Sequence, residues 1–445
     1  MADRASERAA DRAADTGGNG AREAEAAAGW SRARLAAWCL YDWGNSAFPA
    51  IVLSFIFAPY FSRAVAPDET TGSALWGYAM TGAALAIALV SPVVGAFSDK
   101  GGHKAVWLAG FSLLAVAATA AMWFVEPSAQ YIVLALFLAA LANFAFEVAY
   151  VFYNGMLPDL VPPRLIGRAS GWGWGLGYIG GLACMVVALL LLIRPETPPF
   201  GLDPDTAEQY RATTVLCAAW FALFALPLFV LAPGRAGTGK PARQVVREGL
   251  SEVAATVRTL RRYPDAGRYL LAHMIYIDGL NTLFIFGGIY AAGTFGLELM
   301  EVLLFGLAMN LAAGIGSAAF GWLDDKLGPK RVLILSILAL LGFGSALLIV
   351  EQVMWFWILG IALGSFFGPV QSASRSLMAR LAPKELTGQM FGLFSLSGKA
   401  TAYVGPAAVG WLTAMADSQR IGMSVILVLL LAGLLILLRV REPRE

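Results

Sequence analysis

Long apolar stretches follow one another along the chain with the spacing of membrane-crossing helices. A helix needs roughly 20 mostly apolar residues to cross a bilayer, and twelve stretches meet this requirement. They are Trp38–Phe61, Leu75–Phe97, Ala105–Val125, Tyr131–Leu157, Ser170–Leu192, Thr213–Leu231, Tyr269–Ala292, Met300–Leu323, Val332–Val350, Met354–Arg380, Gln389–Trp411 and Gly422–Leu438. A β-barrel would show short alternating segments instead. The pattern predicts an all-α membrane protein with twelve transmembrane helices.

Composition agrees with this prediction and excludes several other classes. Hydrophobic residues make up 58% of the 445 residues and charged residues 14%, whereas soluble domains average about 25% charged residues. A soluble multidomain enzyme is therefore excluded. The net charge of +2 gives no reason to expect a nucleic-acid partner. Three cysteines in apolar runs and two distant histidines predict neither a disulfide framework nor a metal site, and we expect no cofactor.

Lysine and arginine are distributed unequally between the loops on the two sides of the membrane. Twenty-six of the 32 fall on the side that carries both termini, four on the opposite side and two, Arg375 and Lys399, inside predicted spans. Cytoplasmic loops carry the excess of basic residues, so we expect both termini in the cytoplasm. No N-glycosylation acceptor occurs and arginine outnumbers lysine, which favours a bacterial inner membrane.

Two polar segments flank and divide the apolar body. Residues 1–34 alternate alanine with charged residues and predict a disordered cytoplasmic tail. Residues 233–268 form a cytoplasmic linker between six-helix bundles at 35–232 and 269–440. Within this linker, residues 243–262 combine apolar positions at helical spacing with arginines. Such an amphipathic helix would lie on anionic lipid headgroups, although a simple connector is also compatible with the pattern.

Three pairs of segments repeat between the two bundles in the same order. Gly95–Lys104 matches Gly321–Lys330 at an offset of 226 residues. The segment beginning at Leu160 matches that beginning at Leu381 at an offset of 221, and D-W-G-N-S-A-F from Asp42 matches D-G-L-N-T-L-F from Asp278 at 236. Repeated halves are typical of secondary transporters, which hold their substrate between them. We therefore predict two pseudo-symmetric six-helix bundles.

The first repeated segment is a glycine-rich charged loop that we expect to control conformation. An aspartate beside lysines at a tight turn can hold one packing of neighbouring helices, and the glycines allow close approach. The residues concerned are Gly95, Asp99, Lys100, Gly102 and Lys104, with Gly321, Asp325, Lys326, Gly328 and Lys330 in the second copy.

This loop, present twice, resembles the cytoplasmic signature of the major facilitator superfamily. Y-D-W-G-N-S-A-F from Tyr41 and Q-S-A-S-R-S-L-M-A-R-L-A-P from Gln371 resemble the branch of autophagy-related vacuolar amino-acid effluxers and their bacterial relatives. The resemblance implies a cavity lined by helices 1, 4, 7 and 10, alternating access, and efflux of neutral or zwitterionic amino acids. Helix 4 lacks the arginine of many proton-coupled members, and helix 5 lacks the proline of the antiporter motif.

Four ionisable residues lie deep within predicted spans: Asp42, Glu147, Asp278 and Lys399. Such groups cost about 2.5–3.5 kcal/mol each to insert and usually face a cavity or a partner. Asp42 with Asn45 and Asp278 with Asn281 occupy equivalent positions of the repeat. Each pair shares a helix face, and the pseudo-twofold axis should bring both pairs to the centre.

Helix 4 carries a polar stripe, and helix 10 carries its equivalent. Asn143, Glu147, Tyr150 and Asn154 map at the 221-residue offset onto Gly364, Gly368, Gln371 and Arg375. Lys399, followed one turn later by Tyr403, should pair with Asp278 or Glu147, and a static structural pair is an alternative. From these features we predict a secondary active transporter, not an enzyme, with proton coupling and a small-molecule substrate, and we expect a monomer. The substrate-binding candidates are Asp42, Asn45, Asn143, Tyr150, Asp278, Asn281, Gln371, Arg375 and Tyr403, and the titratable pair is Glu147 with Lys399.

Two other classes compete with this interpretation. Two intramembrane aspartates suggest an intramembrane aspartyl protease, which needs two carboxylates sharing a proton, but its G-x-G-D motif is absent around Asp278. A receptor of transporter shape would bind its ligand without moving it. Primary transport is disfavoured because no phosphate-binding loop motif occurs. The charge pattern suits amino acids, organic cations and sugars alike.

Overall fold

The computed structural model describes residues 31–101, 104–195, 199–231 and 260–442, without the side chains of 97, 98, 100, 101 and 299. Within these ranges every regular element is a helix. The first half contains α1 (Arg32–Asn45), α2 (Glu69–Gly101), α3 (Lys104–Ala121), α4 (Ile132–Leu160), α5 (Ile166–Ala188) and α6 (Glu208–Leu231). The second contains α7 (Pro264–Phe295), α8 (Leu299–Leu327), α9 (Pro329–Leu347), α10 (Val353–Leu381), α11a (Thr387–Lys399), α11b (Val404–Ala416) and α12 (Gln419–Leu438).

Eleven helical segments in the described chain are long and apolar enough to cross a membrane. The first of them, Arg32–Val65, continues α1 through two π-helical segments, Pro49–Phe55 and Phe61–Val65. Together with the split helix α11, they account for the twelve predicted crossings. Residues 1–30 of the predicted tail, and most of the predicted linker and its lipid-binding helix at 243–262, lie outside the described residues, as does Gly102. The last residues of the predicted tail are helical, because α1 begins at Arg32.

Helix α11 is broken where the sequence predicts one continuous span. α11a and α11b contain 13 residues each and are separated by residues 400–403. Pro406 explains the break, because a proline has no N–H and its ring collides with the carbonyl four residues earlier, here that of Ala402. A proline fits within the first turn of a helix, so the chain restarts as α11b at Val404.

The two halves use the same packing pattern. α1 packs on α6 as α7 packs on α12, α3 packs on α4 as α9 packs on α10, and α2 packs on α4 as α8 packs on α10. The halves meet along α5 with α8 and along α2 with α11a, which are again equivalent pairs. The predicted fold of two pseudo-symmetric six-helix bundles is confirmed. We call the membrane side where α1 begins and α12 ends the termini side.

Candidate functional site

The first copy of the repeated loop joins α2 to the start of α11a on the termini side. The Asp99 carboxylate accepts hydrogen bonds from the backbone N–H groups of Gly388 (2.7 Å) and Gln389 (2.8 Å). These N–H groups lie in the first turn of α11a and have no partner within the helix. Burial raises the pKa of the Asp99 carboxyl to about 6, while these donors and Lys104 act in the opposite direction. Gly95 lies so close to the Gly388 carbonyl that no side chain fits there.

The second copy makes the equivalent contact between α8 and the start of α5. The Asp325 carboxylate accepts from the backbone N–H groups of Gly167 (2.8 Å) and Arg168 (3.3 Å). It also forms an ion pair with Arg168 Nε at 2.6 Å, which the first copy lacks because Gln389 stands in the equivalent position. Gly321 lies against the Gly167 carbonyl, as Gly95 lies against that of Gly388.

Lys104 and Lys330, one from each loop, bind the end of a helix within their own half. Lys104 donates to the Gly155 carbonyl (3.1 Å) and pairs with Asp159 (3.2 Å). Lys330 donates to the Leu438 carbonyl at 3.0 Å, and Lys326 lies over the Trp322 ring. Gly328 has a φ of 88°, which favours glycine at the turn between α8 and α9. The loops therefore brace each half, while the two aspartates hold the halves together on the termini side.

Deeper in the membrane, a buried ion pair joins α1 to α10. Arg375 Nη1 lies 3.1 Å from Asp42 Oδ2, and the two side chains are 1% and 3% exposed. The Tyr153 hydroxyl donates to the same carboxylate oxygen at 2.7 Å. Arg375 also donates from Nε to the Ser170 hydroxyl (2.9 Å) and from Nη2 to the Ser170 carbonyl (2.8 Å). These contacts satisfy a charge pair that would be costly to bury without them.

The pair lies on the pseudo-twofold axis. Arg375 Nη1 is 3.3 Å from Asn154 Oδ1, and these residues are equivalent in the repeat. A residue and its equivalent can touch only close to the axis that relates them. Gly173 of α5 makes the room, since a Cβ there would lie 2.8 Å from Arg375, Asp42 and Trp38. Arg375, one of the substrate-binding candidates, is fully buried against Asp42.

A second ion pair joins the halves between α4 and α11a. Lys399 Nζ lies 2.7 Å from Glu147 Oε1, with side chains 33% and 17% exposed. Of the two partners left open by the sequence, the structure brings Glu147 to Lys399. The pair ends α11a just before the helix breaks. Unlike the pair of Asp42 with Arg375, it is partly exposed.

Asp278 does not repeat the arrangement of Asp42. It is 2% exposed, and its Oδ2 accepts a hydrogen bond from the Gly405 backbone N–H at 3.0 Å, in the first turn of α11b. Asp278 therefore binds a helix of its own half, whereas we expected both aspartates to face the axis. Because Asp42 and Asp278 have separate partners, the geometry gives no support to a protease-like pair sharing a proton.

The remaining substrate-binding candidates are scattered around this centre. Asn45 and Asn143 are buried, and Asn281 is half-buried. Tyr150 Oη lies 3.4 Å from Arg375 Nη1, and the Gln371 side-chain carbonyl accepts a hydrogen bond from Tyr178. Tyr403 is 71% exposed and so contacts little of the protein. The structure thus gathers Asp42, Tyr150 and Arg375 together and leaves Asn281 and Tyr403 outside this group.

An apolar cavity of about 200 Å³ lies mainly within the second half. Helices α7, α8, α9, α10 and α12 form most of its wall, and Phe55 and Tyr178 are contributed by the first half. None of the nine substrate-binding candidates is among its described lining residues. The cavity approaches them through Tyr178, which lines it and donates to Gln371.

Sequence reasoning missed Tyr153, Ser170 and Gly173 as partners of the buried pair. Tyr153 lies beside Asn154 on α4 but off the polar stripe. Ser170 lies near the start of the glycine-rich helix α5, and its hydroxyl was the available signal. Gly173 belongs to a glycine series in α5 of the kind that serves close helix packing, and here the close packing surrounds a charge pair.

Comparison with known proteins places the chain in a family. The model of the family described as "Vacuole effluxer Atg22 like" matches residues 74–169 and 163–445. An uncharacterised MFS-type transporter of Bacillus subtilis, YxiO, is 27% identical over 91% of this chain and 94% of its own length. Autophagy-related protein 22 of Cryptococcus neoformans is 27% identical over 62% of this chain, which spans about half of that protein's length, 51%.

Solved structures agree with this placement at the level of the fold. The Escherichia coli fucose:proton symporter FucP superposes with a TM-score of 0.68 at 16% identity, covering 92% of this chain and 98% of that one. The chain is a multi-pass membrane protein with the major facilitator fold. It belongs to the vacuole effluxer Atg22-like family of major facilitator superfamily transporters.

Proposed function

We propose that this transporter moves a small polar solute, and specifically exports an amino acid, by alternating access. Its two halves rock about the pseudo-twofold axis. The arrangement described here is the one closed on the termini side, where Asp99 and Asp325 each bind the first turn of a helix from the other half. With both termini in the cytoplasm, as the basic residues favour, the closed side is cytoplasmic and the membrane is the bacterial inner membrane.

The observation that carries the coupling proposal is the partly exposed ion pair between the halves. Glu147 and Lys399 are in contact at 2.7 Å yet 17% and 33% exposed, so a proton or an ammonium group has access to the carboxylate. Protonation of Glu147 would remove its attraction for Lys399 and release one link between α4 and α11a. Opening of the closed side is then tied to proton movement.

The cavity favours a solute with an apolar part. Its wall is mainly aliphatic and aromatic, and it touches polar side chains at Asn310 and Tyr178. An amino acid would place an apolar side chain in this cavity and its charged groups toward the polar centre around Gln371. The family described as a vacuole effluxer supports efflux, the sequence resemblance implies amino acids, and the apolar wall argues against sugars.

The test is flux in proteoliposomes. Counterflow of labelled amino acids establishes whether a solute crosses, and a receptor of the same shape would show none. Once a transported amino acid is identified, we expect Glu147→Gln to retain counterflow and to lose the response of net flux to a pH gradient. Glu69→Gln provides a matched control, because Glu69 forms the exposed pair with Arg63 away from the centre.

The result that overturns the role assignment is equally direct. If Asp42→Asn and Glu147→Gln both keep full, pH-dependent flux, neither residue serves transport as proposed. Absence of counterflow for every amino acid tried, together with binding seen in a thermal-shift screen at two pH values, would favour the receptor.

A further inference from the structure

The break in helix 11 creates a site around Asp278 that the alternating-access proposal does not use. In the first turn of α11b, the Val404 N–H donates to the Thr401 carbonyl at 2.8 Å, and Pro406 has no N–H. The N–H of Gly405 is bound by Asp278 Oδ2 at 3.0 Å. The start of this half-helix is therefore satisfied by one oxygen of the carboxylate, which leaves the other oxygen for a different partner.

Asp278 Oδ1 is buried and has no hydrogen-bond donor among the residues that the structure describes. Asp278 is 2% exposed, and no described lysine or arginine lies within ion-pair distance of it. A buried carboxylate without a counter-charge is strongly disfavoured. Asp42, at the equivalent position, has both Arg375 and Tyr153, so the lack of a partner is specific to the second half.

A second oxygen atom, that of the Thr282 hydroxyl, lies near this unpartnered oxygen. The Thr282 hydroxyl donates to the Asp278 backbone carbonyl at 2.7 Å, so its lone pairs remain free. A Cβ built on Gly405 would come within 3.1 Å of Asp278 Oδ1 and would collide with Thr282 Oγ1. Glycine at 405 thus allows α7 and α11b to approach closely where a carboxylate oxygen and a hydroxyl oxygen lie near each other.

We propose that Asp278 Oδ1 and the Thr282 hydroxyl, at the break of helix 11, bind a single monovalent cation, Na⁺ or a proton. The charge argument favours a monovalent ion, because one uncompensated carboxylate supplies one negative charge. Within the described residues there is no cluster of acidic, histidine or cysteine side chains of the kind that holds a divalent metal. Broken helices at mid-membrane provide the sites of Na⁺ or protons in other transporters.

Neighbouring ionisable groups are already engaged or distant. α11b has none, α11a has Lys399, which pairs with Glu147, and α12 has Arg420 at its start. On α10, Arg375 pairs with Asp42, and α8 carries its charges near its ends. His273, on α7 itself, lies 2.7 Å from the Ser397 hydroxyl through Nδ1. A response to Na⁺ or pH at this site is therefore attributed to Asp278 and not to a second charged group beside it.

Binding at this site does not depend on the identity of the solute, whereas its coupling to flux rests on the proposed transport function. The first experiment therefore measures binding without transport. The purified full chain is unfolded thermally while NaCl is replaced stepwise by choline chloride at constant ionic strength, at two pH values. We expect Tm to rise with Na⁺ and to saturate, since a ligand bound by the folded state stabilises it.

Three variants make the result specific. Asp278→Asn should abolish the rise in Tm, and Thr282→Val, which keeps the shape and removes the hydroxyl, should shift its midpoint to higher Na⁺. Asp68→Asn removes an exposed carboxylate between α1 and α2 and should keep the full response. If Asp278→Asn does not fold, Thr282→Val alone decides, because its midpoint must move.

Each outcome decides the proposal. A rise in Tm with Na⁺ that both site variants reduce supports the site with Na⁺ as the ion. A Tm that does not change with Na⁺ but rises on acidification supports a proton at the same place, provided that the rise is lost in Asp278→Asn and reduced in Thr282→Val. Responses to Na⁺ and pH that these variants leave unchanged overturn the site. A normal Na⁺ response without any flux would overturn the proposed transport function and not the site.

Discussion

Asp42 and Asp278 occupy equivalent positions in the two halves but lie in opposite electrostatic situations. Asp42 reaches across the axis to Arg375 and Tyr153. Asp278 stays within its own half, binds the Gly405 N–H, and has an oxygen without a donor among the described residues. Duplication of a sequence motif has therefore conserved the position of a carboxylate and not its partner.

The cause is found on the helices that face the two aspartates. The arginine that serves Asp42 is residue 375 of α10, and its equivalent on α4 is Asn154. Tyr153, which donates to Asp42, corresponds to Ser374, whose hydroxyl is instead bound to Tyr276 at 2.7 Å. The second half thus lacks both the cation and the hydroxyl that the repeat would have aimed at Asp278. One neutral residue in place of an arginine turns an ion pair into a candidate ion site.

The largest effect should come from removing each carboxylate charge in turn. Asp42→Asn leaves Arg375 buried without its counter-charge, and breaking a buried pair in this way costs about 3–5 kcal/mol. Asp278→Asn removes a charge that has no cation partner among the described residues, so in Na⁺-free buffer it should leave the thermal stability nearly unchanged or raise it. Thermal unfolding of both variants in the same detergent measures the difference.

Arg375→Gln combined with Asp42→Asn completes the comparison. The double variant should recover much of the stability lost by Asp42→Asn alone, because it leaves no buried charge. Equal losses for Asp42→Asn and Asp278→Asn would show that the two carboxylates are not in different situations, and the comparison would fail.

The next largest effect should come from filling the space around the buried pair. Gly173→Ala places a Cβ 2.8 Å from Arg375, Asp42 and Trp38, and overpacking of this kind costs typically about 1–3 kcal/mol. The control is Gly77→Ala, since nothing lies within 4 Å of the added Cβ there. A lower Tm for the first variant and an unchanged Tm for the second are expected. Tolerance of alanine at 173 would mean that the pair is loosely packed.

The architecture could be predicted from the sequence because its signals are local or repeated. The lengths of the apolar stretches predicted the transmembrane helices. The repeated segments starting at Gly95 and Gly321 predicted the two-fold organisation, which the equivalent contacts of Asp99 and Asp325 now confirm. The break after Lys399 was missed, although Gly405-Pro406 lies within the predicted span. A proline can end, kink or begin a helix, and which of these occurs depends on whether a partner such as Asp278 satisfies the new end.

The partners of the charged residues were harder to predict. The pair of Glu147 with Lys399 was one of two possibilities that the sequence allowed. Asp42 with Arg375 was missed because the two lie 333 residues apart, and the repeat relates Arg375 to Asn154 rather than to Asp42. Symmetry in a sequence predicts equivalent positions, whereas a contact across the axis joins positions that are not equivalent.

The closing contacts offer a smaller comparison of the same kind. Asp325 has the Arg168 guanidinium at 2.6 Å in addition to two N–H donors, whereas Asp99 accepts from two N–H donors of the opposite half and faces the neutral Gln389 at the position equivalent to Arg168. Hydrogen bonds to charged groups contribute about 1.5–3 kcal/mol. We expect Asp325→Asn to raise the ratio of open to closed molecules on the termini side about tenfold, which corresponds to about 1.4 kcal/mol, and Asp99→Asn to raise it less.

Spin labels at the exposed, repeat-equivalent positions Arg164 and Glu385 measure this ratio. Their separation grows when the halves part, and the native Cys39, Cys184 and Cys217 are buried, so background labelling should be low. Lys384→Gln, which changes an exposed charge on the same loop, should leave the ratio unchanged. A larger opening in Asp99→Asn than in Asp325→Asn would contradict the assigned role of Arg168.

The smallest effect should be a pH dependence of the first closing contact. In the closed arrangement the pKa of Asp99 is raised to about 6 by burial, and once α11a moves away the carboxyl should return toward its usual value of about 3.9. Between these values the closed state binds more protons, so in a Glu147→Gln background, where protonation of Glu147 no longer contributes, acidification favours closure and the open fraction should fall as the pH drops from about 7 to about 4. The same spin-label pair reports this change.

Asp99→Asn, compared with the parent in a Glu147→Gln background, should reduce the change of the open fraction with pH by the amount that Asp99 contributes. Opening on acidification, unaltered by Asp99→Asn, would show that this carboxyl does not sense the closure that it helps to make.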